Sequence, residues 1–504
     1  MPQRSAEPVL REVARGTGGV VPVLAFAGIT VAVMQTLLVP VITDLPVLLD
    51  TTPANATWVL TGTLLAGAVA TPVMGRLGDL HGKRRMLVVS LGVMVLGSLV
   101  CAVTDQLVPM LIGRVLQGFG MGVIPLGIGI MRDVLPGERL ASGMAVMSSS
   151  IGVGGGLALP LAALVAQHTD WHMLFYGSAG TGVLAITATL ALVPGGPGRA
   201  RGGFDLPGAF GLTAGMVALL LPVTKGDEWG WTSPRVLSLF AVAALVLTVW
   251  GIWELRCPAP LVDLRTSARR EVLLTHLASL MLGVAFYAIS LVLPPLLQLP
   301  TSTGYGLGQP MVTAGLCLAP LGVTMMLVSP VYARLSRRYG ARAALLAGMA
   351  VMTVGYGAGI VLMSAVWHTV LVAVVLGAGI GLAYAALPAL ITAAVDPSQT
   401  GAANGLNALM RSVGTAVSSA VVGMVLARTA IPLDGVPVPG PEGFRISFAL
   451  AAAAVTAGMI LALFLPSPSA ARAREPERTA RGARNRATSH NAAAPTHLSR
   501  PERP

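Results

Sequence analysis

The chain of 504 residues is 54% hydrophobic and only 11% charged, with a mean hydropathy of +0.76. Soluble domains carry about 25% charged residues, so an ordinary soluble protein is excluded. The net charge of +12 does not mark a nucleic-acid binder either: 27 of the 33 Lys and Arg lie in alternate polar segments and the two ends of the chain, the distribution of a membrane protein with a positive inner face.

A membrane-crossing helix needs about 20 mostly apolar residues. In chain order, fourteen segments meet this and are predicted as helices: Val20–Ile42, Thr57–Met74, Met86–Val103, Leu107–Ile130, Leu140–Val165, Met173–Val193, Leu206–Thr224, Pro234–Trp253, Val272–Leu297, Met311–Val331, Ala343–Met363, Trp367–Val395, Ala402–Val425 and Phe444–Leu465. The alternation of a membrane β-barrel is absent, so the expected fold class is an all-α polytopic membrane protein. The charge bias places both termini in the cytoplasm. Trp58, Trp171, Trp229, Trp231 and Trp367 then fall at outer helix ends or loops, and Trp250 and Trp253 near an inner end, as an aromatic belt requires.

The polar stretches divide the chain into a cytoplasmic N-terminal segment (1–19), a six-helix bundle (20–193) and a Pro-Gly-rich linker (194–203). An inserted hairpin of helices 7 and 8 (204–253) and a cytoplasmic loop (254–270) follow, then a second six-helix bundle (271–465) and a basic tail (466–504) expected to be disordered. The two bundles share a repeat. Arg76-Leu77 precedes Gly82 and Arg84 at the offsets at which Arg334-Leu335 precedes Gly340 and Arg342, and Arg337 stands where Asp79 would be. Parallel repeats of this kind underlie a major class of secondary transporters.

Within this frame a few residues break the apolar pattern. Gly75-Arg76-Leu77-Gly78-Asp79-Leu80-His81-Gly82-Lys83-Arg84-Arg85 reads as a basic loop with one acid at the inner surface. Gly75 and Gly78 permit close helix approach, Gly82 a turn with positive φ, and Asp79 suits the positive end of a neighbouring helix. Arg114 lies about two turns inside helix 4, where an arginine costs about 2.5–3.5 kcal/mol unless it faces a cavity, an acid or backbone carbonyls, and Gln117 follows one turn on. Helix 5 carries Gly152, Gly156 and Pro160, and helix 13 aligns Asn404, Asn407 and Arg411 on one face, for a cavity or for helix-to-helix hydrogen bonds. No helix centre holds Asp or Glu. The nearest acid is Asp44 at the outer end of helix 1, either a partner for Arg114 across an outward-facing cavity or a plain helix-terminal acid, and His276 in helix 9 is the remaining titratable candidate. Cys101, Cys257 and Cys317 form no metal spacing, and no phosphate-binding loop is present, so no cofactor or metal is expected.

The segment Gly75 to Arg85 resembles the loop signature of the major facilitator superfamily, Gly-x-Leu-x-Asp-x-x-Gly followed by two basic residues. Arg114-Val115-Leu116-Gln117-Gly118 is similar to that family's helix-4 motif. Fourteen spans, with Phe204-Asp205-Leu206-Pro207-Gly208 opening the extra hairpin and Pro260-Leu261-Val262-Asp263-Leu264 following it, resemble the drug:proton antiporter branch. The helix-5 motif of that branch ends Gly-Pro-x-x-Gly-Gly; here Leu159 precedes Pro160 and Ala163-Leu164 follows, and Gln35 stands where the branch commonly has an Asp.

The resemblance implies a major facilitator fold in the cell membrane that exports small amphiphilic drugs or antibiotics against protons by alternating access, without an obligate protein partner. It implies a gate at Gly75, Asp79, Gly82, Lys83, Arg84 and Arg85, with Asp79 meeting helix 13 near Thr400–Ala403. Arg114, Gln117 and Asp44 would act in coupling. Gln35, Gly152, Gly156, Pro160, Asn404, Asn407 and Arg411 would act in the cavity or in helix packing. Transport of one specific metabolite, in either direction, is the alternative; a non-transporting receptor is disfavoured by outer loops too short to hold a domain.

Overall fold

A computed structural model describes residues 19–38, 41, 45–196, 198, 200, 202–433 and 436–466. The N-terminal segment to residue 18, Asp44 and the tail from residue 467 lie outside the described residues. By its contacts the chain divides into a unit ending at Phe464 and a second from Leu465 onward, and the helices belong to the first.

The helices are α1 (Val20–Thr36), α2 (Pro53–His81), α3 (Lys83–Ala102), α4 (Leu107–Val134), α5 (Gly137–His168), α6 (Met173–Leu192), α7 (Leu206–Trp229) and α8 (Pro234–Arg256). They continue with α9 (Arg270–Gln298), α10 (residues 311–339), α11 (residues 341–361), α12 (Val366–Ala394), α13 (Thr400–Arg428) and α14 (Pro441–Leu463). Twelve helices among the described residues are long and apolar enough to cross a membrane; one, Met311–Val361, is 51 residues long, and the 17-residue Val20–Thr36 falls short of the others. Gly340 (φ 86°, ψ 162°) breaks the long one, so with α1 the rods lie one for one on the fourteen apolar segments of the sequence.

Two features depart from the sequence expectation. The basic "loop" at 75–85 is almost wholly helical: α2 runs through His81, α3 starts at Lys83, and Gly82 alone (φ 97°, ψ 125°) makes the reversal. Gly340 does the same between α10 and α11. A positive φ costs glycine little, so one residue turns the chain and the flanking backbone keeps its helical hydrogen bonds near the membrane surface. A β-hairpin, β1 (Ala430–Leu433) paired antiparallel with β2 (Val436–Pro439), joins α13 to α14. Tyr305 donates its hydroxyl to the Pro439 carbonyl at 2.6 Å and fastens this hairpin to the loop after α9.

In the first half α1 packs on α5 and α6, α2 on α4, and α3 on α4 and α6; in the second, α11 packs on α12 and α14, and α9 on α13 and α14. The halves meet where α2 lies on α13 and α5 on α10. The hairpin α7–α8 packs through α7 against α2 and α13, while α8 turns Leu237, Leu245, Val249 and Ile252 outward, as a lipid-facing helix does. Lys225 on α7 is buried, bonded to Glu228 at 2.7 Å, and lies 5.3 Å from the Trp58 ring centroid of α2.

Candidate functional site

The Arg-rich end, where α2 turns into α3, holds several hydrogen bonds between the halves. Asp79 is 1% exposed. Its carboxylate accepts the backbone N–H groups of Gly401 (3.1 Å) and Ala402 (2.9 Å), in the first turn of α13. These amides have no partner within their own helix, and the positive end of the helix dipole adds to the attraction. The approach depends on two glycines. A Cβ on Gly75 would overlap the Gly401 carbonyl, and one on Gly401 would overlap the Gly75 carbonyl.

Sequence reading missed the other half of this arrangement. Arg132, at the end of α4, donates to the Val395 carbonyl (3.2 Å), the Asp396 carbonyl (3.5 Å) and the Thr400 hydroxyl. A carboxylate therefore holds the amide end of α13 while a guanidinium holds the carbonyl end of α12, each the sign that its helix end favours. Lys83 bridges Asp133 (2.7 Å) and Asp79 (3.7 Å). Nearer the middle, Ser149 of α5 donates to the Met325 carbonyl of α10 at 2.8 Å and lies 3.1 Å from the Ser329 hydroxyl. From the linker, the Ala200 N–H donates to the Asp79 carbonyl at 3.0 Å.

The repeated arginines have matching roles. Arg84 donates to the Leu190 carbonyl (2.6 Å) at the end of α6, and Arg342 to the Ala462 (3.3 Å) and Leu463 (2.6 Å) carbonyls at the end of α14. Each closes the first helix after the turn onto the last helix of its own bundle. Arg85 is exposed and has no place in this set.

Arg114 is fully buried and draws five helices together. Its guanidinium donates to the carbonyls of Val59 on α2 (3.1 Å) and Met34 on α1 (3.4 Å), and to Gln117 Oε1 (2.6 Å) on its own helix. Gln117 Nε2 donates to Ser98 of α3 (2.8 Å), which neighbours Ser178 of α6 (3.3 Å). Of the options left open by sequence, carbonyl binding is the one present among the described residues; Asp44 lies outside them. One nitrogen, Nη2, is buried without a partner among the described residues.

A small central cavity of about 10 Å³ separates the halves, lined by Ile124, Ser148, Tyr384, Asn404, Asn407 and Arg411 among others. It has room for about one water. Arg411 stacks on the Tyr384 ring (5.0 Å), which in turn contacts Phe286 (5.4 Å). Asn407 accepts from the Ser279 hydroxyl of α9, and Asn404 donates to Thr392 (3.3 Å) and the Thr400 carbonyl (3.0 Å) while its Oδ1 is unpaired. His276 is buried on α9 near Asn407 with neither ring nitrogen in full hydrogen-bond geometry.

The helix-5 residues belong to packing. Gly152 abuts Met325 and Gly156 abuts Ala319, so α5 and α10 lie close, and Pro160 is accommodated within an unbroken α5. Gln35 is half-buried on α1.

A family model described as Major Facilitator Superfamily matches residues 24–418 and 275–501. The uncharacterised MFS-type transporter YhcA of Bacillus subtilis is 26% identical over 66% of this chain, and the alignment spans 62% of that protein's length. Multidrug resistance protein 3 of Bacillus subtilis is 23% identical over 73% of the chain and 72% of its own length. The tetracenomycin C resistance and export protein of Streptomyces glaucescens is 27% identical over 74% of the chain and 69% of its own length. Among solved structures, the human organic anion transporter MFSD10 superposes with a TM-score of 0.59 at 16% identity, covering 88% of this chain and 99% of that one; this likeness concerns the fold.

Proposed function

The chain belongs to the major facilitator superfamily, and from that premise we propose that this membrane transporter exports small amphiphilic compounds, drugs or antibiotics among them, by alternating access driven by protons moving inward. The observation that carries the reading is the junction of Asp79 with the Gly401 and Ala402 amides beside a cavity with room for about one water. One end is shut and the centre is nearly filled, so any cargo must be met by a state in which the halves have rocked apart. The positive-inside bias makes the shut end the cytoplasmic one, with all fourteen rods spanning and both termini inside.

The class of cargo comes from the relatives named for multidrug resistance and for tetracenomycin C export. Its charge is argued from the interior. Arg114 and Arg411 have no carboxylate partner among the described residues, so the cavity favours neutral or anionic compounds over strongly cationic ones. In this reading Arg114 and Gln117 transmit proton binding through α1 and α2, with Asp44 a candidate carrier.

The test is pH-gradient-dependent flux of a dye and an antibiotic panel in vesicles, wild type beside Asp44→Asn and Arg114→Ala. Transport that survives collapse of the pH gradient rejects proton coupling. Saturable transport of a lipophilic cation that is lost in Asp44→Asn rejects the charge preference. Absence of outward flux for the whole panel rejects the exporter.

A further inference from the structure

The segment after the inserted hairpin, Pro260-Leu261-Val262-Asp263-Leu264, has no part in the gate or the cavity so far described. It is nevertheless built with care. Asp263 accepts the N–H groups of Arg265 and Thr266 (both 3.0 Å) and the Thr266 hydroxyl (2.7 Å), and so caps the short helical turn Leu264–Ser267. Its Oδ2 also accepts Gln399 Nε2 at 3.1 Å. Gln399 lies two residues before Gly401, whose amide is held by Asp79.

Other bonds tie the same segment to α8. The Val262 N–H donates to Glu254 Oε2 (3.3 Å), and Arg265 donates to the Leu255 carbonyl (2.8 Å). Leu261 and Val262 are buried among Leu212 of α7, Ala68 of α2 and Leu406 of α13. The segment thus belongs to the hairpin but lies across the two helices, one from each half, that form the gate.

Beside it is a cavity of about 300 Å³, lined by Arg76, Glu254, Asp263, Gln399 and Ala402 among others. Among the described residues, Arg76 Nε and Glu254 Oε1 are buried there without hydrogen-bond partners. The shut end is therefore incompletely packed and leaves polar groups unsatisfied, both of which weaken it. It needs a compensating contact made in this state alone.

We propose that residues 260–266 are a strap by which the inserted hairpin holds the gate shut, with Asp263 acting as a positioning residue on α13 through Gln399. If α13 withdraws from α2, the bonds to Glu254 and Leu255 keep the strap with the hairpin, and the Asp263–Gln399 bond is the one that breaks. A contact present in only one of two states shifts their ratio by its own worth, here about tenfold for a hydrogen bond to a charged group. The inference rests on the alternating gate proposed above.

The experiment uses the full chain with its native cysteines replaced and spin labels at Arg139→Cys and Arg338→Cys, exposed positions on either half at the Arg-rich end. Distances are measured by pulsed electron paramagnetic resonance. Gln399→Ala leaves the Asp263 cap intact, and Asp263→Ser keeps a capping oxygen too short to reach Gln399. Each is expected to raise the long-distance population about tenfold, Gln399→Ala with the thermal midpoint unchanged and Asp263→Ser with only the small drop of its lost carboxylate bonds, and the double variant is expected to do no more than either alone. Unchanged populations, or fully additive shifts, overturn the strap. Asp79→Asn is run alongside. If it opens the gate while the strap variants do not, the strap alone fails; if no variant yields a second distance, the alternating gate fails and the strap with it.

Discussion

Asp79 Oδ2 accepts the Ala402 backbone N–H at 2.9 Å, across 323 positions of sequence and across the join between the two halves. The bond has no side-chain partner on α13. Its geometry depends on the helix end and on glycine at 75 and 401 rather than on a complementary charged side chain of α13.

Asp79→Asn retains an acceptor but loses the charge, so the shut state should weaken by about 1.5–3 kcal/mol. Cross-linking across the Arg-rich end should fall while the thermal midpoint changes little. Gly75→Ala is expected to be the harsher change, because its methyl meets backbone that cannot move aside. A Gly75→Ala protein that cross-links and transports like wild type would contradict the close approach.

Arg114→Lys preserves charge but cannot fork to Val59, Met34 and Gln117 together. Loss of two charged hydrogen bonds in a buried site is expected to cost about 3–5 kcal/mol, read as a large drop in thermal midpoint by tryptophan fluorescence. A midpoint equal to wild type would show that the five-helix network carries little stability.

Arg84→Ala and Arg342→Ala should each destabilise by about 0.5–2 kcal/mol, since each removes a cation from the carbonyl end of a helix. The two lie in different bundles, so the double variant should equal their combined effects within about 0.5 kcal/mol. Strong non-additivity in thermal unfolding would mean that the bundles do not act as separate repeats.

Hydrogen bonds from the Ser398 backbone N–H and hydroxyl hold the Asp396 carboxyl below the usual carboxylate range. For Asp263, burial pushes upward, but the bonds from Thr266, Gln399 and Arg265 outweigh it and the net shift is also downward. A carboxylate whose folded pKa lies below its unfolded value contributes stability above the unfolded value, ordinarily about 3.9, and loses it as pH falls through the folded one. Both contributions should therefore persist at neutral and mildly acidic pH and disappear only below about pH 4. Asp396→Asn should flatten the acid limb of a plot of thermal midpoint against pH, with no effect at pH 7 on its slope.

The apolar helical segments, the repeat and its turning glycines were legible in the sequence because lipid imposes them locally. A span must be apolar over its whole length, and its backbone must bond within itself. The extent of α2 was not legible in the same way. Gly75 to Arg85 has the composition of a loop, yet only Gly82 leaves helical geometry. Asp79 could be paired with α13 from sequence only through resemblance, whereas Arg132, Lys83 with Asp133, and Asp263 with Gln399 gave no sequence signal, since each pair is distant along the chain or looks like an ordinary surface charge.

Sequence by itself determined the solvent of this protein, its duplicated helical plan and the residue types at its Arg-rich end, because hydropathy, positive-φ glycines and charge bias act within a few residues of where they are written. Only the tertiary structure decided which helix end each charge would meet, that Arg114 binds carbonyls of Met34 and Val59, and that Asp263 in the segment after α8 reaches Gln399 beside α13. Those outcomes depend on how rods from opposite halves come to lie side by side, and no local pattern fixes that.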